Sequence, residues 1–213
     1  VVASSHRILD VKPYIRHHPR LGYEYVPDYE AELAQPRGGT YRLRINRQGI
    51  RSDRDYDATK PQGVKRRLLV FGDSFAAGQY IANAERFSEL LERRHPGLEV
   101  LNFGLEGTGT DQQLLLYEEV GQRFEHDAVA LFPFLQNIRR NLVDSRAAID
   151  PQSGQAVLIP KPRFLLRDGQ LELTNVPVPA DRPPASQGLG ADDQLSPGRN
   201  WKRLANRLPG ASW

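Results

Sequence analysis

The chain contains no cysteine and no methionine among its 213 residues. The missing cysteine excludes a disulfide scaffold, a cysteine nucleophile, a Cys-ligated zinc and an iron–sulfur cluster. No apolar run approaches the roughly 18 residues of a membrane-spanning helix, so nothing within these residues is expected to span a bilayer. Charge of one sign is also lacking: 29 Lys+Arg stand against 26 Asp+Glu, a net of +3. The sequence pI of 9.3 rests on those few charges and does not argue for a nucleic-acid partner. Histidine and carboxylate ligands are not clustered, which excludes a recognisable metal site. Gly104-Leu105-Glu106-Gly107-Thr108-Gly109 is neither Gly-x-Gly-x-x-Gly nor followed by Lys-Ser/Thr, so it indicates no dinucleotide or P-loop cofactor. The expectation is therefore of no cofactor and no metal.

What is present is ordinary globular material, 39% hydrophobic and 26% charged. The length suits one α/β core with a smaller appendage. Its N-terminus reads Val1-Val2-Ala3, without a methionine, and the chain stops soon after the helix-like stretch Trp201 to Leu208. It is read as a candidate piece of a longer protein, with Val1 to Ala3 a candidate remnant of a removed signal or membrane anchor.

Three segments follow from the pattern. Residues 1–62 are basic, aromatic and interrupted by proline, and Tyr41, Leu43 and Ile45 alternate with Arg42, Arg44 and Asn46. That period of two predicts a half-buried strand ending in a turn at Gln48-Gly49, within a small β-rich appendage. Tyr23, Tyr25 and Tyr29 could form a carbohydrate-stacking face or fill a small β core. Residues 63–150 read as strand, helix, strand, helix, strand: Leu68 to Phe71, a helix on Phe87, Leu90 and Leu91 capped at Asn83 and stopped at Gly97, then Leu98 to Phe103, a helix from the Thr110 to Gln113 capping box to about Phe124, and Ala128 to Phe132. Short connections between such elements predict a parallel sheet covered on both faces. Residues 151–213 hold nine of the 16 prolines and read as an irregular segment or insertion, with a candidate strand at Leu171 to Thr174 and a mobile loop from Pro183 to Pro197.

The chemistry-bearing stretch is Val70-Phe71-Gly72-Asp73-Ser74-Phe75, where a buried strand ends and a helix begins. In open parallel sheets ligands bind outside the carboxyl ends of the strands. A serine there has free backbone N–H groups beside it that can stabilise an oxyanion. The competing structural reading is that Asp73 and Ser74 only cap the helix. The next two strands lead into Asn102 to Gly107 and into Phe134-Leu135-Gln136-Asn137. One sheet edge thus receives a nucleophile, a glycine N–H and an asparagine amide.

With these blocks the chain resembles the SGNH (GDSL-type) hydrolase family: Gly72-Asp73-Ser74-Phe75 for the first block, Asn102 to Gly107 for the second, Asn137 for the third. The resemblance covers about residues 66–140. The pieces LGYEYVP, INRQGIRS and NVPVP look, less specifically, like a bacterial envelope-associated branch, which implies a periplasmic or cell-envelope setting. The resemblance implies a flavodoxin-like three-layer α/β/α sandwich. It makes Ser74 the nucleophile with its own N–H in the oxyanion hole, Gly107 (alternatively Gly104) the second N–H, and Asn137 the side-chain donor. It further implies an esterase acting on acyl esters, acetyl groups of polysaccharide being favoured. A polysaccharide O-acetyltransferase and a non-catalytic glycan-binding member are the alternatives.

Two departures stand out. Ile138-Arg139-Arg140 follows Asn137 where many members of the family have aspartate. Arg139-Arg140, like Arg42 and Arg44, could clamp an acidic sugar or be solvated surface. The family's Asp-x-x-His block is also missing. The five histidines are at 6, 17, 18, 95 and 126; His17 and His18 read as solvated surface, and His95 and His126 fall at the end of the sheet remote from Ser74. The expectation is that the base lies beyond residue 213. Without a base, Ser74 keeps an ordinary hydroxyl and is nearly inert.

Overall fold

The structure, a computed structural model, describes residues 12–150 and 153–181. The expectations placed on Val1 to Ala3, His6, Pro183 to Pro197 and Trp201 to Leu208 lie outside the described residues.

The chain is mixed α/β. Two antiparallel hairpins come first, β1 (Ile15–His18) with β2 (Gly22–Tyr25) and β3 (Glu30–Ala34) with β4 (Thr40–Arg44). The alternation read from Tyr41 and Leu43 is real, since both are buried and their neighbours face solvent. Gly49 turns the chain back, its N–H donating to the Asn46 carbonyl at 3.0 Å.

A three-stranded parallel sheet follows, with β5 (Arg66–Gly72) between β6 (Leu98–Asn102) and β7 (Ala128–Phe132). The central strand is apolar because both of its faces are covered: Leu69 and Val70 have no exposed surface. Phe71 stacks on Phe103 at 5.0 Å between ring centroids and meets Tyr117 edge-on at 5.7 Å. These rings join β5 to α3 (Thr110–Glu119), while α2 (Phe87–Arg94) packs on β6. One continuous buried cluster runs from Tyr14, Tyr25 and Tyr41 through Leu69 and Leu101 to Leu115 and Phe124. Tyr23 and Tyr25 are thus core residues, and Tyr29 packs against them.

Four expectations change. The helix after Asn83 begins only at Phe87. Asn83 sits in a short 3-10 turn with its side chain buried, bonded to Arg51, the Arg44 carbonyl and Asp53. The α3 cap is Gly109, whose N–H reaches Gln112 Oε1 at 3.4 Å, and the helix stops at Glu119, short of Phe124. The sheet is not covered on both faces along its β7 edge, where Val129, Leu131 and Phe132 are each about half exposed, because α2 and α3 pack on β6 and β5. The segment read as irregular from residue 151 on forms hairpins: β8 (Ser145–Ile149) pairs with β9 (Ala156–Pro160), and β10 (Arg163–Arg167) with β11 (Gln170–Thr174), which contains the expected strand Leu171 to Thr174. The one proline within these four strands is Pro160, the last residue of β9, where it interrupts no strand interior. No helix among the described residues is long and apolar enough to cross a membrane.

Candidate functional site

β5 is the strand at which the sheet order reverses, and the segments leaving its carboxyl end and those of its neighbours converge on one side. Ser74 follows β5 directly, as the first residue of α1 (Ser74–Ala77). Asp73 is the cap: its Oδ1 accepts the Phe75 N–H at 3.0 Å. Capping and nucleophile candidacy therefore fall on different residues, and the Ser74 hydroxyl is engaged by no side chain or carbonyl among the described residues.

The helix that Ser74 opens is a single turn, so a helix dipole contributes little here. It ends at Gly78, whose left-handed backbone (φ +69°) turns its N–H back to the Ser74 and Phe75 carbonyls, and buried Arg51 takes up the carbonyls that follow. Its Nη1 donates to Ala77 and Gly78 at 2.9 and 2.7 Å, and its Nη2 to Ile81. Arg51 belongs to the hairpin end of the N-terminal segment, which is thereby tied to the turn carrying Ser74.

The loop after β6 approaches this turn closely. A Cβ on Gly104 would lie 2.4 Å from the Ala77 nitrogen, so only glycine fits. The Gly104 N–H donates to Asn102 Oδ1 at 2.9 Å, which removes it as the alternative oxyanion donor. Gly107 has φ +81°, a left-handed conformation suited to glycine. Its N–H has no protein acceptor among the described residues.

Ser74 and Gly107 line one cavity of about 270 Å³ together with Lys12, Tyr23, Gln79, Glu106, Arg140, Arg146 and Lys161, and the apolar side chains of Ile15, Ala147 and Ile159. That size lies just under the roughly 300–1,000 Å³ of small-molecule sites. Asn137 is placed differently. It lies in 3-10 turns over Leu135–Leu142, and its Nδ2 donates to Asp73 Oδ2 instead of lining the cavity. Arg140, on the same turns, donates to the Thr108 carbonyl at 2.9 Å and stands 3.5 Å from Asp73.

Glu106 is a hub that the sequence reading passed over. Its carboxylate receives Lys12 Nζ, Tyr14 Oη at 3.3 Å and Gln79 Nε2 at 3.2 Å, while its carbonyl accepts Tyr23 Oη at 2.8 Å. Burial, then the Glu106 charge, pushes the Tyr14 phenol well above its ordinary value. Burial pushes Tyr23 up to about 12. Both phenols therefore stay protonated and donate. Arg146 and Lys161 carry no local signal either, because they fall on β8 and just after β9 and reach the cavity only through the hairpin; only Glu106, inside the glycine-rich loop, had a signal in its position.

No histidine of the described residues reaches the cavity. His17 Nε2 contacts the Val178 carbonyl at 2.8 Å, and His18 Nδ1 accepts the N–H groups of Arg20 and Leu21 at 3.2 and 3.1 Å. The two fasten the β1–β2 turn and are half-buried, which corrects their reading as solvated surface. His95 ends α2, and His126 bonds the Phe124 carbonyl at 2.7 Å ahead of β7. No cluster of His, Asp or Glu among the described residues is arranged to hold a metal ion. Arg42 and Arg44 lie apart from the cavity, paired with Glu30 and with the Asp53 carbonyl. Compared with known proteins, the chain matches no family model and no curated protein.

Proposed function

We propose that the cavity beside Ser74 is the site of a serine ester hydrolase of the SGNH type, in a sheet of the three-layer α/β/α sandwich kind. The order β6-β5-β7 supports the sandwich, because right-handed crossovers to either side of β5 put α2 and α3 on opposite faces. The observation that carries the function is that Ser74 and Gly107, leaving adjacent parallel strands, line one cavity with backbone N–H groups that bond no protein acceptor among the described residues.

In this reading the Ser74 oxygen attacks the carbonyl carbon of an acyl ester and its proton passes to a base. The carbonyl oxygen becomes an oxyanion held by the N–H groups of Ser74 and Gly107. The Asn137 amide joins them when it leaves Asp73. Collapse of the tetrahedral intermediate expels the alcohol, which takes up a proton, and water then releases the acid from Ser74. An alcohol in place of water makes the same chemistry an acyl transfer, and exclusion of water decides between the two. The described residues supply no histidine base, so Ser74 needs a proton acceptor from outside them.

The absence of a described base beside Ser74, and the engagement of Asn137 by Asp73, favour a second reading in which the same cavity only binds an acylated glycan. Hydrolysis of p-nitrophenyl acetate with imidazole as an added base separates the two. The hydrolase reading expects turnover above the imidazole background that Ser74→Ala abolishes; equal rates for the two proteins refute it.

A further inference from the structure

We propose that the cavity holds an anionic group of its ligand, a carboxylate or a phosphate, against Arg140 and Arg146. The inference rests on the cavity being the ligand site of the proposed function, and it concerns the substrate class.

Four cations line the cavity, Lys12, Arg140, Arg146 and Lys161, with Glu106 the one carboxylate among the lining residues. Lys12 is paired with Glu106. Lys161, almost wholly buried, is paired with Asp111 and also donates to the carbonyls of Arg140 at 3.0 Å, Val143 at 3.2 Å and Pro162 at 2.8 Å. Its donors are spent on the fold.

The two arginines differ. Each commits Nη1 to a backbone carbonyl, Arg140 to Thr108 and Arg146 to Gly107. Neither Nε nor Nη2 of either residue bonds a protein acceptor among the described residues, and neither is sealed from solvent. Each guanidinium thus keeps the planar Nε/Nη2 edge that suits bidentate recognition of carboxylate or phosphate. Arg140 has Asp73 at 3.5 Å, whereas no carboxylate among the described residues lies within ion-pair distance of Arg146. Counting Glu106, Asp111 and Asp73 against the four cations leaves one positive charge over at the wall.

The arrangement is costly without an anion. Burial, then the neighbouring Arg146 charge, lowers the Arg140 guanidinium below its ordinary value. Two half-buried cations side by side repel through a medium that screens less than water. An anion between them offsets that repulsion. Arg146 Nη1 fixes the guanidinium against the Gly107 carbonyl, and Gly107 lines the same cavity, so the anion shares that cavity with the candidate oxyanion donor. The ligand is then an ester whose acid or alcohol part carries a fixed negative charge, such as a uronic acid or a sugar phosphate.

Calorimetric titration of the full chain carrying Ser74→Ala tests this by binding alone, using glucuronate, glucose 6-phosphate and glucose as probes. At least one anion is expected to bind about 10-fold or more tightly than glucose, with the preference shrinking in about 0.5 M salt. Arg146→Gln keeps a donor for the Gly107 carbonyl but loses the charge. It and Arg140→Gln should each weaken anion binding about 10-fold and leave glucose unchanged, with thermal melts confirming that the variants fold. Should one variant not fold, the other and the salt dependence decide. The preferred probe identifies carboxylate or phosphate. Anions that bind no better than glucose, or anion binding indifferent to both substitutions, overturn the inference. Anion preference without reactivity at Ser74 overturns the ester reading instead, so the two failures are distinguishable.

Discussion

The Asp73 carboxylate joins the end of β5 to the turns after β7: Oδ2 accepts the Asn137 amide while Oδ1 accepts the Phe75 N–H at 3.0 Å. One buried side chain therefore sets both the start of the turn carrying Ser74 and the resting position of the candidate oxyanion donor. Asp73→Ala removes the cap and leaves Asn137 without its partner. It should cost about 2–4 kcal/mol in urea denaturation, and a loss under about 0.5 kcal/mol would contradict the dual role.

Gly104→Ala places a methyl 2.4 Å from the Ala77 nitrogen, and a backbone atom cannot swing aside as a flexible side chain can. The expected loss is about 3 kcal/mol by the same measurement. A variant as stable as the parent would show that the β6 loop and the Ser74 turn are not in this contact.

Arg67 is wholly buried and satisfied on every side: Nε reaches Glu99 at 2.6 Å, Nη1 the Ala58 and Glu125 carbonyls at 3.0 and 3.1 Å, and Nη2 the Thr59 carbonyl at 3.0 Å. Arg67→Met leaves the Glu99 charge and three carbonyls without their donor. A loss of about 3–5 kcal/mol is expected, and Arg67→Lys should recover little of it because a single ammonium nitrogen cannot reach acceptors spread around three guanidinium nitrogens. Full recovery by lysine would show that charge alone is what matters there.

His18 should make stability depend on pH. Burial lowers its pKa below the ordinary 6.5, against the opposing charges of Glu24 and Glu119, and its Nδ1 must stay unprotonated to accept two N–H groups. The unfolded chain takes up the proton first as pH falls. The His18 contribution is thus fully present above about pH 6.5 and is lost as pH drops through the folded-state value. Between about pH 8 and pH 5.5, His18→Gln should lose less stability than the parent; equal slopes would contradict the assignment.

The sequence revealed most where one local rule decides. The parallel strands were legible as short apolar runs, and Ala128 to Phe132 forms β7 over that whole span because nothing within it competes with a strand. The α2 start was misread because Asn83 has the chemistry of a cap but is drawn into a buried network with Arg51, Arg44 and Asp53, a tertiary contact that no local pattern announces. The β10–β11 hairpin carries its own signal, Asp168-Gly169, both with positive φ in a two-residue turn between Arg167 and Gln170; its second strand was legible at Leu171 to Thr174, whereas the surrounding prolines masked β10. At the site, Ser74 and Gly107 were legible from loop position. Arg146 and Lys161 were not, since they reach the cavity only through the fold of the hairpins.

The central claim is that Ser74 is a nucleophile awaiting a base. Its most direct test is reaction of the chain with a fluorophosphonate, with and without added imidazole, followed by intact mass and peptide mapping, with Ser74→Ala as control. The account predicts slow labelling of the parent alone, acceleration by imidazole, one adduct mapped to Ser74 and none on Ser74→Ala. An imidazole-treated parent that labels no more than Ser74→Ala, or an adduct mapped to another residue, would contradict it.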